Sequence, residues 1–258
     1  KKLRINDSAK IEKNINKIVD SKFHEFQLKN LSMAIAAAKV CNLKDKNIYN
    51  SLKKIKDIDG RLQLVRIFSN NIKVFIDYAH TPDALSKALQ ALKNFHGKNI
   101  SLVFGCGGDR DIKKRPLMAK IANSNCKKIY VTDDNPRNEK PEKIRNEIIK
   151  KIKSSNCFNI GSRIKAIKAA ISNAEPNEVI LIAGKGHETQ QIYKNKIILI
   201  SDKQIIRKLK FKIKSITKKN KTFIQNKKIL KKIKKGIKIE NFDGLAIDSR
   251  QVKKIICF

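Results

Sequence analysis

The sequence contains no tryptophan, and aromatic residues make up only 6% of its 258 positions. That argues against RNA-recognition surfaces, which stack bases on aromatic side chains set among basic ones. Five cysteines (Cys41, Cys106, Cys126, Cys157 and Cys257) are scattered without a C-x-x-C pair or metal-ligand spacing. Neither a zinc module nor a disulfide scaffold fits them; free thiols in a reducing, cytoplasmic compartment do. No apolar run approaches the roughly 20 residues of a membrane span, and the opening KKLRINDSAK lacks a signal-peptide core. G-x-x-x-x-G-K-[ST], the phosphate loop of P-loop ATPases, occurs nowhere in the 258 residues.

Acid is the remaining scarcity. Against 59 basic residues stand 23 acidic ones, for a formal net charge of +36. The lysines are spread along the chain among isoleucine and asparagine rather than gathered in a stripe. No specific nucleic-acid partner is expected, only weak and salt-sensitive attraction to polyanions.

What is present is an alternation of apolar runs and amphipathic stretches. Residues 21–40 lead into a helix with Leu31, Ile35 and Ala38 on one face, and DKNIYNSLKKI reads as a second. IDGRLQLVRI turns at a glycine into alternating Leu62, Leu64 and Ile67, the pattern of an edge or first strand. KVFIDYAH, NISLVFGCGG, KKIYVTDDNPR and EVILIAGKGHE are strands with polar ends. The helices between them include TPDALSKALQALKNF, which Thr81 caps and Pro82 opens. Nearly continuous apolar strands separated by helices predict an α/β fold: a mostly parallel, Rossmann-like sheet covered on both faces. Ligands of such sheets sit outside the carboxyl ends of the strands, where DYAHTPD, GCGGDRD, DDNPR and AGKGHE all fall.

Each cluster admits two readings. The glycines of GCGGDRD either let backbone amides approach an anion beside Arg110 or make a tight strand-to-helix turn. AGKGHE resembles part of a phosphate loop, but Lys185 is followed by Gly186, so it is not one. His80 and His187 sit at strand ends, as ligands or as residues ordering their own backbone. DDNPR can bind a zwitterion, Arg137 forking onto a carboxylate while Asp134 and the Asn135 carbonyl accept from an ammonium. It can equally be an Asx-turn with a solvated ion pair.

Taken together, GR at 60–61, DYAHTPDAL at 77–85, FGCGGDRDIKKRPLM at 104–118, TDDNPR at 132–137 and AGKGHE at 183–188 resemble the Mur ligase family. The likeness is to its branch that adds the third residue of the peptidoglycan stem peptide, over about residues 20–210. It implies residues 1–58 as the helical end of the central ATPase domain and 59–210 as the C-terminal amino-acid-binding domain. It further implies ATP-dependent joining of meso-diaminopimelate to UDP-MurNAc-L-Ala-D-Glu through an acyl phosphate, with ATP and Mg2+ as cofactors. In the family DNPR marks diaminopimelate-adding members, so Arg110, Asp134, Asn135, Pro136, Arg137, Gly184 and Glu188 would line the amino-acid site. Asn30, Arg61, Asp77, Tyr78 and His80 would face ATP. HEFQLKN (24–30) is similar to the family's GxFNxxN segment, with His24 and Gln27 standing where the family has Gly and Asn. No residue is implied as a catalytic nucleophile or a metal ligand.

Residues 211–240 read as a basic linker, and GLAIDSRQVKK (244–254) resembles the opening of another Mur ligase. Residues 241–258 would then start a second N-terminal domain, with MurF, which acts next in the pathway, as fusion partner or associate. The family's P-loop, modified lysine and sugar-binding domain have no counterpart in these residues, so the expectation is a piece of a longer or fused protein. A binding module without catalysis, and a ligase for another amino acid, are the alternative readings. The purified 258-residue chain is expected to release no phosphate from ATP when given diaminopimelate and the UDP-sugar dipeptide; turnover in a phosphate-release assay would refute this.

Overall fold

The computed structural model describes residues 25–55 and 58–210, together with Ile15. Expectations for His24, the 211–240 linker and the 241–258 tail lie outside the described residues. Two helices come first, α1 (Glu25–Val40) and α2 (Asp45–Leu52). They close over a small apolar cluster of their own, in which Ile35, Ile48 and Leu52 meet Ile15, with Leu31 and Ala38 at its margin. The face read from the sequence is the face that is covered.

The rest is one six-stranded sheet flanked by helices. In chain order it comprises β1 (Gln63–Phe68), β2 (Ile72–Asp77), α3 (Pro82–His96), β3 (Ile100–Phe104), α4 (Lys114–Asn125), β4 (Lys128–Val131), α5 (Pro141–Ile149), β5 (Cys157–Asn159), α6 (Arg163–Ser172) and β6 (Val179–Ala183). A hairpin of β7 (Gln190–Tyr193) and β8 (Lys196–Leu199) and a last helix α7 (Asp202–Lys208) follow. The spatial order is β1-β2-β6-β3-β4-β5. β1 is antiparallel to β2, and the other pairings are parallel.

Strand alternation divides the core. Val179, Leu181 and Ala183 face one layer with helices α3, α4 and α5. Ile180 and Ile182 face the other, with α6 and Ile206 of α7. The chain runs outward from β2 through β3 and β4 to β5, then returns over the opposite face to insert β6 between β2 and β3. Right-handed crossovers force the helices onto opposite faces when the direction reverses. The reversal leaves a crevice at the carboxyl ends beside β6.

Several elements differ from the sequence reading. β1 is the expected edge strand, but a register shift between Leu64 and Arg66 breaks its alternation. Leu62 and Phe68 are buried while Leu64 and Ile67 are exposed. The short strand β5, the β7–β8 hairpin and α7 were not anticipated. Thr81 does cap α3, its side chain accepting from Ala84 N, with Pro82 in the first turn.

Three buried arginines, one on each of α4, α5 and α6, fix the loops at the carboxyl edge. Arg115 donates to Glu139 through both terminal nitrogens (2.9 and 2.7 Å), to Glu147 (2.7 Å) and to the Gly107 carbonyl (3.3 Å). Arg145 pairs with Asp133 and donates to the Asn159 amide oxygen (2.8 Å). Arg163 holds both Asp202 oxygens (2.8 and 2.7 Å) and the Ala183 carbonyl (3.0 Å). Removing one partner of such a pair strands a charge without water. In urea unfolding, Arg145→Leu is expected to cost about 3–5 kcal/mol. Arg110→Ala, at an exposed position with no hydrogen bond or ion pair among the described residues, should stay within about 0.5 kcal/mol of the parent.

Candidate functional site

The loops after β2, β3, β4 and β6 lie side by side at the carboxyl edge, and DDNPR occupies their centre. Gly108 N donates to the Asn135 carbonyl at 2.9 Å, and a Cβ on Gly105 or Gly108 would overlap the carbonyls of Thr132 or Pro136. The GCGG glycines are therefore spacers that let two backbones touch. On the other side, Gly184 has φ 109°, and a Cβ there would come within 2.7 Å of Asp134 Oδ2. A left-handed backbone and a carboxylate at contact distance both demand glycine.

The hairpin closes the third side. Arg137 N donates to the Ile192 carbonyl (3.0 Å), Ile192 N to Asn135 Oδ1 (2.9 Å) and Gln191 Nε2 to the Asp133 carbonyl (3.0 Å). Held this way, Arg137 adopts φ 52°, a conformation that a non-glycine residue keeps only when its surroundings impose it.

The charges of DDNPR do not pair with one another. Asp133 bonds to Arg145 and accepts from the Tyr193 hydroxyl (2.9 Å). Burial raises its carboxyl above the ordinary value, with Tyr193 and Arg145 opposing. Asp134 is as deeply buried, yet among the described residues its carboxylate has no hydrogen bond or ion pair. Arg137 donates through Nη1 to the carbonyls of Gly108 (2.9 Å) and Asn135 (3.3 Å), and no described carboxylate pairs with it. The solvated ion pair considered from the sequence is not what forms.

Asp134 and Arg137 line a cleft of about 570 Å³ with Tyr78, His80, Cys106, Arg110, Asp111, Lys114, Asn135, Gly184 and Glu188. Of the seven residues expected at the amino-acid site, Arg110, Asp134, Asn135, Arg137, Gly184 and Glu188 meet here. Pro136 is buried beneath and does not line it. The cleft presents both signs of charge, and among the described residues Arg110, Arg137 and Asp134 form no direct ion pair with the protein. Such a surface suits a ligand carrying carboxylate and ammonium together.

The residues expected to face ATP divide. Asn30, Arg61 and Asp77 line a second cleft of about 640 Å³ between α1 and α3, while Tyr78 and His80 line the first. Asp77 accepts from Leu62 N (2.6 Å) and Ala79 N (2.7 Å). Burial raises its carboxyl despite those donors. The Tyr78 ring stands between the two clefts: the Arg61 guanidinium lies 4.8 Å from its centroid, and the rings of His80 and His187 lie at 4.7 and 5.6 Å. His80 orders its own turn, Nδ1 donating to the Tyr78 carbonyl at 2.9 Å, while its carbonyl receives Lys114 Nζ (2.9 Å).

Sequence reasoning passed over Lys185, Arg145 and Tyr193. The only cue to Lys185 was its position between two glycines of AGKGHE. Burial pushes the Cys106 thiol up to about 12, so the one cysteine in the cleft is no thiolate nucleophile near neutral pH. Among the described residues no group of three or more His, Cys, Asp or Glu side chains could hold a metal ion.

Residues 60–186 match the family model described as Mur ligase, glutamate ligase domain. The chain is similar to the UDP-N-acetylmuramoyl-L-alanyl-D-glutamate–2,6-diaminopimelate ligase of Rickettsia prowazekii, 46% identical over 190 residues, 73% of this chain and 39% of that protein. The enzyme of the same name from Buchnera aphidicola is 44% identical over 185 residues, 71% of this chain and 37% of the relative. A solved structure under that name aligns with a TM-score of 0.55 and 35% identity, over 71% of this chain and 38% of the other. The chain thus spans about two-fifths of the length of the relatives it matches. The doubly wound sheet and these likenesses converge: the chain belongs to the Mur ligase family, and residues 60–186 are its C-terminal, glutamate ligase domain.

Proposed function

We propose that residues 59–210 are the amino-acid receiver of a peptidoglycan ligase. In this reading the domain presents meso-diaminopimelate to the activated carboxyl of UDP-MurNAc-L-Ala-D-Glu, in the cytoplasm. The observation behind it is the pair of opposite charges on one loop, Asp134 and Arg137, neither held in a direct ion pair among the described residues, with Arg110 across the same cleft. Diaminopimelate has an ammonium and a carboxylate at each end. Arg137 retains donors beyond the Nη1 used by the protein and can take a carboxylate, while Asp134 accepts from the neighbouring ammonium. Lysine would leave Arg137 without its anion.

The reaction proposed is ATP-dependent: the D-Glu carboxylate is phosphorylated to an acyl phosphate, the amine of diaminopimelate attacks, and phosphate leaves. This chain's contribution is to orient the amine and hold its carboxylates. Positioning of that kind lowers the barrier without a protein nucleophile. Asn30, Arg61 and Asp77 line the cleft assigned to the nucleotide side, and α1 and α2 to the end of the central domain. Magnesium would accompany the nucleotide; the described residues offer it no ligand cluster.

Calorimetry on the purified chain tests the amino-acid assignment. Diaminopimelate is expected to bind about ten- to a hundredfold more tightly than lysine, the range for one charge-assisted hydrogen-bonding group. Arg137→Ala should abolish the preference while leaving lysine binding nearly unchanged. Equal affinities for the two amino acids in the parent chain would overturn the assignment.

A further inference from the structure

Lys185 lies between Gly184 and Gly186 and is only 1% exposed. Its ammonium donates to Glu188 Oε2 at 2.9 Å and to Asn135 Oδ1 at 3.1 Å. Asn135 Nδ2 donates to the same Glu188 oxygen at 3.3 Å, and its Oδ1 also receives Ile192 N. The network fixes the amide's orientation, because Lys185 and Ile192 can only donate and the carboxylate can only accept. Two residues on different loops, both lining the amino-acid cleft, are thus tied through a cation that does not line it.

We infer that Lys185 is a positioning residue for the amino-acid cleft: its buried ammonium locks Asn135 and keeps Glu188 an ionised acceptor for the ligand's ammonium. The inference rests on the proposed amino-acid function of this cleft. A buried ammonium with two acceptors is too costly to serve as a mere spacer, where a methionine would fill the volume.

Glu188 is faced by Lys185 on its own loop, Asn135 of the DNPR loop, Tyr78 after β2 and the buried Arg163 of α6. Burial works against the Glu188 carboxylate, yet Lys185, Asn135 and Tyr78 together hold it below the ordinary glutamate value. Tyr78 stays protonated, since burial and Glu188 itself raise its hydroxyl. Without Lys185 the Glu188 carboxylate loses the strongest of the groups that oppose its burial, and its carboxyl rises. Glu188 would then pick up a proton as pH falls through a range in which the parent remains ionised.

The test is diaminopimelate binding to the full 258-residue chain and to Lys185→Met, by calorimetry between about pH 8 and about pH 5.5. The variant is expected to bind within about threefold of the parent at the upper end and about tenfold or more weakly at the lower end. Lys185→Gln, which keeps a donor but no charge, is expected to diverge in the same way and supplies the comparison if the methionine variant does not fold. Parallel pH curves for parent and variants would overturn the role of Lys185 alone. A parent chain that binds no diaminopimelate at any pH would overturn the cleft assignment beneath it.

Discussion

The carboxyl edge of this sheet depends on one steric constraint: the loop Thr132–Arg137 runs between two glycine loops with no volume to spare. Gly105 and Gly108 touch its carbonyls on one side and Gly184 touches Asp134 on the other. Interiors packed this closely transmit small displacements rather than absorb them. A side chain at Gly105 or Gly108 would push the loop backbone and every charge it presents, and one at Gly184 would displace the Asp134 carboxylate. The insertion of β6 between β2 and β3 creates the constraint, because it brings the loop after β6 against loops that precede it by 50 residues or more in the sequence.

Within that frame the protein separates structural charges from available ones. Asp133 and Asp134 are adjacent and equally buried, but Asp133 is consumed by Arg145 and Tyr193 and Asp134 is left open to the cleft. Arg115, Arg145 and Arg163 are matched by carboxylates from the protein, whereas Arg110 and Arg137 have none among the described residues. Buried ion pairs contribute little net stability over apolar packing. Their value here is geometric: Arg115 and Arg145 anchor the loop after β4 to α4 and α5, and Arg163 ties α6 to α7 while holding the last carbonyl of β6.

Much of this was legible in the sequence, and the rest was hidden for physical reasons. Continuous apolar runs in β2, β3, β4 and β6 announce a doubly covered sheet, and the polar clusters at their ends announce its functional edge. Six residues expected at the amino-acid site do converge on one cleft. The β7–β8 hairpin was missed because its two-residue turn, Lys194–Asn195, has no glycine and its strands are short and half polar. With the hairpin went the roles of Tyr193 and Gln191, and the reason Arg137 tolerates a left-handed backbone. Spacing within DDNPR suggested an internal ion pair; only the fold reveals that α5 supplies the partner, Arg145. Lys185 was judged by its failure to complete a phosphate loop, and its burial is a tertiary property that no local pattern records.

In the proposed reading, the cleft between the DNPR, GCGG and AGKGHE loops receives the amino acid. Backbone amide shifts of the 15N-labelled chain, followed through a titration with meso-diaminopimelate, test it most directly. Saturable changes are expected at Asp134, Asn135, Arg137, Gly184 and Glu188, with Asn30, Leu31 and Ala34 of the second cleft unmoved. Shifts confined to that second cleft, or none at the DNPR loop at saturating ligand, would contradict it.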